Sequence, residues 1–170
     1  MIRLLFLSAA LLVAQCVVAF DSEAWDARQK SFVQQAEHLR EAYSNYAQRA
    51  TLPTRDLRVA LEQFPDGRVK TLIEAKKAQF FAVENYIWGE GIILTQFNEN
   101  GESKVRLHAD AGLIDQHAAM CWVEGAVHII YGKTTLDGKG AFYSYNDDYC
   151  KIFASAHIQS TDFTMKGLKL

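Results

Sequence analysis

The chain has 170 residues, 49% of them hydrophobic and 12% aromatic, which supports one buried core, with room for a short extension, and excludes a disordered polymer. Its 18 basic and 20 acidic side chains leave a formal charge of −2. No basic surplus marks a nucleic-acid footprint, so nucleic acid is set aside as a partner.

Met1 to Ala19 reads as an export segment. Arg3 supplies the positive start, Leu4 to Val18 is almost unbroken apolar sequence, and Val17 and Ala19 suit a small-residue cleavage site before Phe20. The run is short for a membrane span, which needs about 20 apolar residues. Three fates are open: cleavage, retention as an inner-membrane anchor, or lipid attachment at Cys16, for which Gln15 makes a poor neighbour. All three take the protein out of the cytoplasm.

Ser22 to Ala50 carries Phe32, Ala36, Leu39, Tyr43, Tyr46 and Ala50 at alternating spacings of four and three, the signature of a helix with one apolar face. That stripe fits packing on the rest of the chain better than docking of a partner or a membrane. Leu52-Pro53 stops the helix. Leu57 and Leu61, four residues apart after Thr54, predict a short second helix over Arg55 to Gln63. The helical segment therefore runs from 20 to 64, and Pro65-Asp66-Gly67 turns the chain into a β domain over 65–170.

Expected strands are Val69 to Phe81 (where a helix from Thr71 is the alternative), Ile87 to Phe97, Lys104 to Asp115, Trp122 to Tyr131, Thr134 to Tyr145 and Cys150 to Gln159. Thr161 to Leu170 is a last, partial unit. Asn98-Glu99-Asn100-Gly101, Gln116 to Ala119, Gly132-Lys133 and Asn146 to Asp148 separate them. Turns about ten residues apart fit a sandwich, barrel or jelly roll.

The β segments echo one another. A shift of 34 places Trp88 on Trp122, Gly91 on Gly125 and Ile93 on Val127. A shift of 29 places Cys121 on Cys150 and His128 on His157. Such self-similarity marks stacked β units. Gly91, Gly112, Gly125, Gly138 and Gly140 inside strands predict bends at matching places. By parity Gly125, Val127, Ile129 and Tyr131 share one face. The repeat adds Ile93, Phe97, Ile152 and Ile158, with Leu107, Leu113, Leu136 and Phe142 on the returning strands. This apolar stripe suits a filled core or an open acyl-chain groove equally, since both need the same residue types.

Catalytic signatures are missing: no Gly-x-Ser-x-Gly, His-Glu-x-x-His, phosphate loop or dinucleotide fingerprint occurs. No cofactor is implied. His128 and His157, with His108 or Glu124, would be the candidate metal ligands, but parity puts His128 on the outer face and two exposed histidines seldom bind metal. Asp110, Asp115, Asp147 and Asp148 read as turn formers. Cys121 and Cys150, the even pair left after export processing, fit a disulfide or two buried apolar positions.

The runs Val105 to Asp115, Val123 to Ile130 and Leu136 to Tyr145 resemble the periplasmic lipopolysaccharide-transport proteins of the LptA/OstA-like and LptC-like family. The resemblance covers residues 68 to 168. It implies a twisted, V-shaped β-jelly roll with an open groove, mainly β and built of about 30-residue repeats, located in the periplasm or tethered to the inner membrane. It further implies binding of lipopolysaccharide or a similar lipid, edge-strand addition to like β-jelly-roll domains, and an inner-membrane ABC transporter upstream. Ile93, Phe97, Val127, Ile129, Tyr131, Phe142, Ile152 and Ile158 are the expected lining. The helical segment departs from the family pattern. The rival reading is a non-enzymatic exported interaction protein with a filled β core and a partner-binding helix. A carbohydrate-active enzyme would need a pair of carboxylates that the sequence does not offer.

Overall fold

The computed structural model describes residues 22–160, with side chains from residue 26. The expected export segment, Cys16 within it, and the partial unit from Thr161 lie outside the described residues. Among these residues no helix is long and apolar enough to cross a membrane. The chain divides into two compact units, 1–34 and 35–170. Helix α1 (Ser22–Arg49) begins in the first. The second holds its last turns and seven strands: β1 (Thr54–Gln63), β2 (Val69–Phe81), β3 (Tyr86–Phe97), β4 (Ser103–Asp115), β5 (Met120–Tyr131), β6 (Thr134–Ser144) and β7 (Tyr149–Ser160).

The predicted helix is present, and its stripe is buried at Ala36, Leu39 and Tyr46. The Tyr46 ring meets Phe81 at 4.7 Å and Tyr86 at 5.0 Å between centroids, both edge-on, a geometry that adds to plain area burial. Arg49 lies over Tyr46 and Phe81. The stripe is thus engaged within the chain rather than offered to a partner.

The expected short helix over Arg55 to Gln63 is instead strand β1, paired antiparallel with β2. Leu57 and Leu61 fit a helical spacing, but Val59 between them completes a two-residue alternation. All three pack against the core, and sheet pairing decides between the two periods. The alternative helix from Thr71 is strand β2.

The seven strands form one antiparallel sheet in sequential order, each hydrogen-bonded to the next. Short turns make this possible. Asn98 Oδ1 accepts from the Asn100 and Glu102 amides while Gly101 takes φ +82°. Asp66 Oδ1 accepts from the Arg68 amide beside Gly67 at φ +84°. Each satisfies backbone donors that a tight turn would otherwise strand.

A crease crosses the sheet. Positive φ occurs at Asp56, Gly91, Gly125, Gly140 and Ser155 on β1, β3, β5, β6 and β7. The β4–β5, β5–β6 and β6–β7 registers shift at the same level, near Asp110, Gly125 and Lys139. Bulges of this kind bend strands and tighten their twist. Gly125 has a specific reason to be glycine: a Cβ there would stand 2.7 Å from Asp110 Cβ. Asp110 Oδ2 accepts from the Ala126 amide at 2.7 Å, so the carboxylate fills the space and ties off the bulge.

The crease divides the sheet into two leaves. The first runs from Leu57, Ala75, Ile92, Ala109 and Val127 away from the bend. The second holds Ala78, Gly89, Gly112, Val123 and Ala141 on the other side. Residues of both leaves, such as Ile73, Leu94 and Leu107 of one and Ile87, Ile114 and Cys121 of the other, share one hydrophobic cluster. The sheet is therefore folded along the crease with its inner faces together, as a V.

Candidate functional site

The site to which the sequence points is the interior of this V. Its floor rows read directly from the register. On the first leaf, Ile73, Leu94, Leu107, Ile129 and Leu136 stand opposite one another across β2–β6. On the second, Ile87, Ile114, Cys121, Tyr143 and Cys150 do the same across β3–β7. Directly opposed residues share a face, so these two rows face each other inside the fold. Ile73, Leu94, Leu107 and Ile114 are fully buried: these rows are closely packed.

The eight expected lining residues divide. Val127 and Ile129 lie in the interior cluster, and Ile152 packs against it. Tyr131 and Ile158 belong to interior rows by register but lie towards the rim, 49% and 63% exposed. Ile93 stands on the outer face, in a row with Glu74, His108, His128 and Asp137. Phe97 follows Gln96, whose side chain holds the interior position. Phe142 is also on the outer face, in a row with Trp88, Leu113 and Trp122.

Two irregularities at the crease account for the three displaced residues. β5 carries an extra residue at its bulge, opposite Asp110, so the 34-residue correspondence holds for Trp88 with Trp122 but becomes 35 beyond Gly125. Val127 then matches Ile92 rather than Ile93. In β6 the face switches between Gly138 and Ala141, which turns Phe142 outward. The interior residues that parity missed are Ile73, Ile92, Leu94, Ile114, Val123 and Tyr143. The in-strand glycines signalled where the alternation would break.

The interior is not wholly apolar. Gln96 of β3 donates from Nε2 to the Tyr145 carbonyl at 2.7 Å and accepts from the Tyr143 hydroxyl. Burial raises the pKa of both tyrosines far above the ordinary phenol value, Asp148 adding to the effect on Tyr143 and Cys121 to that on Tyr145. They remain hydrogen-bonding neutral groups. Burial likewise pushes the thiols of Cys121 and Cys150 up to about 12, which makes both poor nucleophiles.

No disulfide joins those cysteines; both are free thiols. Cys121 lies on β5 and Cys150 on β7, with Tyr143 of β6 between them. Two strand spacings amount to about 10 Å, beyond the Cα separation that a disulfide spans. Positions 29 residues apart fall on alternate strands, because one such unit contains two strands. His128 and His157 are separated in the same way by Asp137. His128 Nδ1 lies 2.6 Å from Asp137 Oδ1, and Glu124 accepts from Trp122 Nε1 at 2.7 Å. Among the described residues no group of three or more His, Cys, Asp and Glu is placed to hold a metal ion.

One creased antiparallel sheet folded around an apolar interior, with the last turns of α1 packed on its outer face, defines a β-jelly roll. The family model described as "Lipopolysaccharide-assembly, LptC-related" matches residues 9–170, and the chain belongs to that family. The match takes in α1 as well as the sheet, further than the stretch from 68 to 168 that carries the resemblance. Among solved structures, the chain is similar to "LptH, the LptA homologous periplasmic component of the conserved lipopolysaccharide transport device from Pseudomonas aeruginosa". That similarity has 7% identity and a TM-score of 0.46, over 69% of this chain and 87% of that one. No curated protein matches the sequence.

Proposed function

We propose that this protein is a periplasmic lipopolysaccharide-transport component that takes acyl chains between its two leaves and passes them to like domains. The observation that carries the reading is the pair of facing apolar rows spanning the sheet, in a chain of the LptC-related family. Apolar burial contributes about 25 cal/mol per Å², so a long acyl chain in such an interior binds without any charged contact. The function is binding and transfer, with no catalytic step.

Hand-over uses the edges. The sheet is open, with β1 and β7 at its margins, and an unpaired strand edge adds a partner strand through backbone hydrogen bonds. Partners would be like jelly rolls and an inner-membrane ABC transporter that loads them. An exported leader, cleaved or retained as a tether, would place the protein in the periplasm.

A second reading, an interaction protein with a filled core, draws support from the full burial of Ile73, Leu94 and Leu107. Changing Val127→Glu separates the two. For a lipid carrier, the still-folded variant loses at least about tenfold in affinity for a lipid A analogue, since a buried carboxylate meets the chain. Unchanged affinity in that variant, or no binding by the parent protein, favours the filled core.

A further inference from the structure

A closely packed interior raises a question of entry, and the contacts far from the crease answer it. Gln96 stands five positions beyond Gly91 on the first leaf, and Tyr143 three positions beyond Gly140 on the second. At about 3.3 Å per residue and 4.8 Å per strand step, they would be about 30 Å apart on a flat sheet. Yet Gln96 receives the Tyr143 hydroxyl proton in a hydrogen bond and donates to the Tyr145 carbonyl. Lys104, at the start of β4 on the first leaf, meets Asp148, beyond the end of β6 on the second, at 2.5 Å. Both sets of contacts join the leaves at the same margin.

That margin differs from the rest of the interior. Elsewhere the leaves meet through aliphatic side chains, which re-form contacts equally well with an acyl chain. At the margin they meet through directional bonds that a bare acyl chain cannot replace. The Tyr145 hydroxyl is buried there and finds no hydrogen-bond partner among the described residues. A buried phenol without a partner is costly, on the order of 1–3 kcal/mol. It is a ready site for an added acceptor.

We propose that Gln96, Tyr143 and Tyr145, with Lys104 and Asp148 outside them, form a clasp whose parting admits an acyl chain between the leaves. The Tyr145 hydroxyl, and the Gln96 amide once released from the Tyr145 backbone carbonyl, then donate to the carbonyl at the head of that chain, an ester or amide. The clasp rests on the lipid-carrying reading: it is the gate of that same interior.

The test is a reversible lock. Lys104→Cys with Asp148→Cys, in a Cys16→Ser background, provides two exposed thiols, while the buried Cys121 and half-buried Cys150 stay protonated. A short bis-methanethiosulfonate bridges the pair and is removed by reduction. Binding of fluorescently labelled lipopolysaccharide is followed for the bridged and reduced forms. The clasp predicts at least a tenfold loss of affinity when bridged, with recovery on reduction. Tyr143→Phe, which deletes one bond of the clasp and keeps its shape, is expected to raise the association rate several-fold. Equal binding by bridged and reduced protein, or an unchanged rate for Tyr143→Phe, overturns the clasp while leaving lipid carriage in place. Failure of the parent protein itself to bind overturns the lipid-carrying reading, and the clasp with it.

Discussion

The two leaves share seven strands and one interior but differ in how they are buried. On the second leaf burial is nearly continuous: Met120, Cys121, Trp122 and Val123 are all buried, as are Ala141, Phe142, Tyr143 and Ser144. On the first leaf it alternates, with Val105, Leu107 and Ala109 buried between the more exposed Arg106 and His108. Alternation means one packed face; continuity means two. The second face of the second leaf carries Trp88, Leu113, Trp122 and Phe142, with Tyr46 of α1 on Phe81 and Tyr86 beside them. Burial, followed by the Glu124 and Glu90 carboxylates of β5 and β3, raises the Tyr43 hydroxyl pKa. The second leaf is thus a platform packed on both sides. The first is packed on one face, with the Gln96, Tyr143 and Lys104–Asp148 contacts at its margin.

The largest effect expected of this difference concerns the thiols of the platform. A thiol held at about 12 instead of its ordinary 9.0 has about a thousandfold less thiolate near pH 8. Peptides containing Cys121 and Cys150 should stay unlabelled by a maleimide at that pH in native protein and label fully in urea. Rapid native labelling would show a leaf open to solvent. Next comes Phe142→Ala, which removes a fully buried ring from the outer row. It should cost about 3–5 kcal/mol in urea unfolding; a loss under about 1 kcal/mol would contradict two-sided packing.

Gly125→Ala tests the crease between the leaves. The positive φ and the approach to Asp110 predict a cost of about 1–3 kcal/mol, with little change expected for Gly101→Ala in an open turn beyond its own backbone strain. The smallest effect is expected from the first leaf's solvated face. Burial, then Arg106 and His128, lower the pKa of His108. The folded state then binds its proton less readily than the unfolded chain. Its contribution to stability is complete above the unfolded value near 6.5 and diminishes as pH falls below that. Melting temperatures at pH 7.5 and 5 should differ less for His108→Gln than for the parent.

Most of the fold was legible because its punctuation is local. Asn98 to Gly101 and Pro65 to Gly67 are turn sequences whose side chains bond their own backbone, so they fix strand ends without help from the rest of the chain. The helical stripe from Phe32 to Tyr46 was equally plain. β1 was not, because Leu57 and Leu61 alone fit a helical period and, with Val59, a strand period over so short a run; pairing with β2 decides it. The interior was legible only up to the bend. Val127 and Ile129 follow from alternation, whereas Ile93, Phe97 and Phe142 lie past a bulge or a face switch that one sequence does not count. The clasp was invisible, since Gln96 and Tyr143 meet only when the sheet folds.

Native mass spectrometry of the mature protein, released gently from cell envelopes, tests the central claim most directly. A retained mass corresponding to lipopolysaccharide or lipid A is the result predicted for a carrier with an apolar interior. A bare protein mass in every preparation, including protein mixed beforehand with lipopolysaccharide, would contradict it and leave the filled core as the description of this fold.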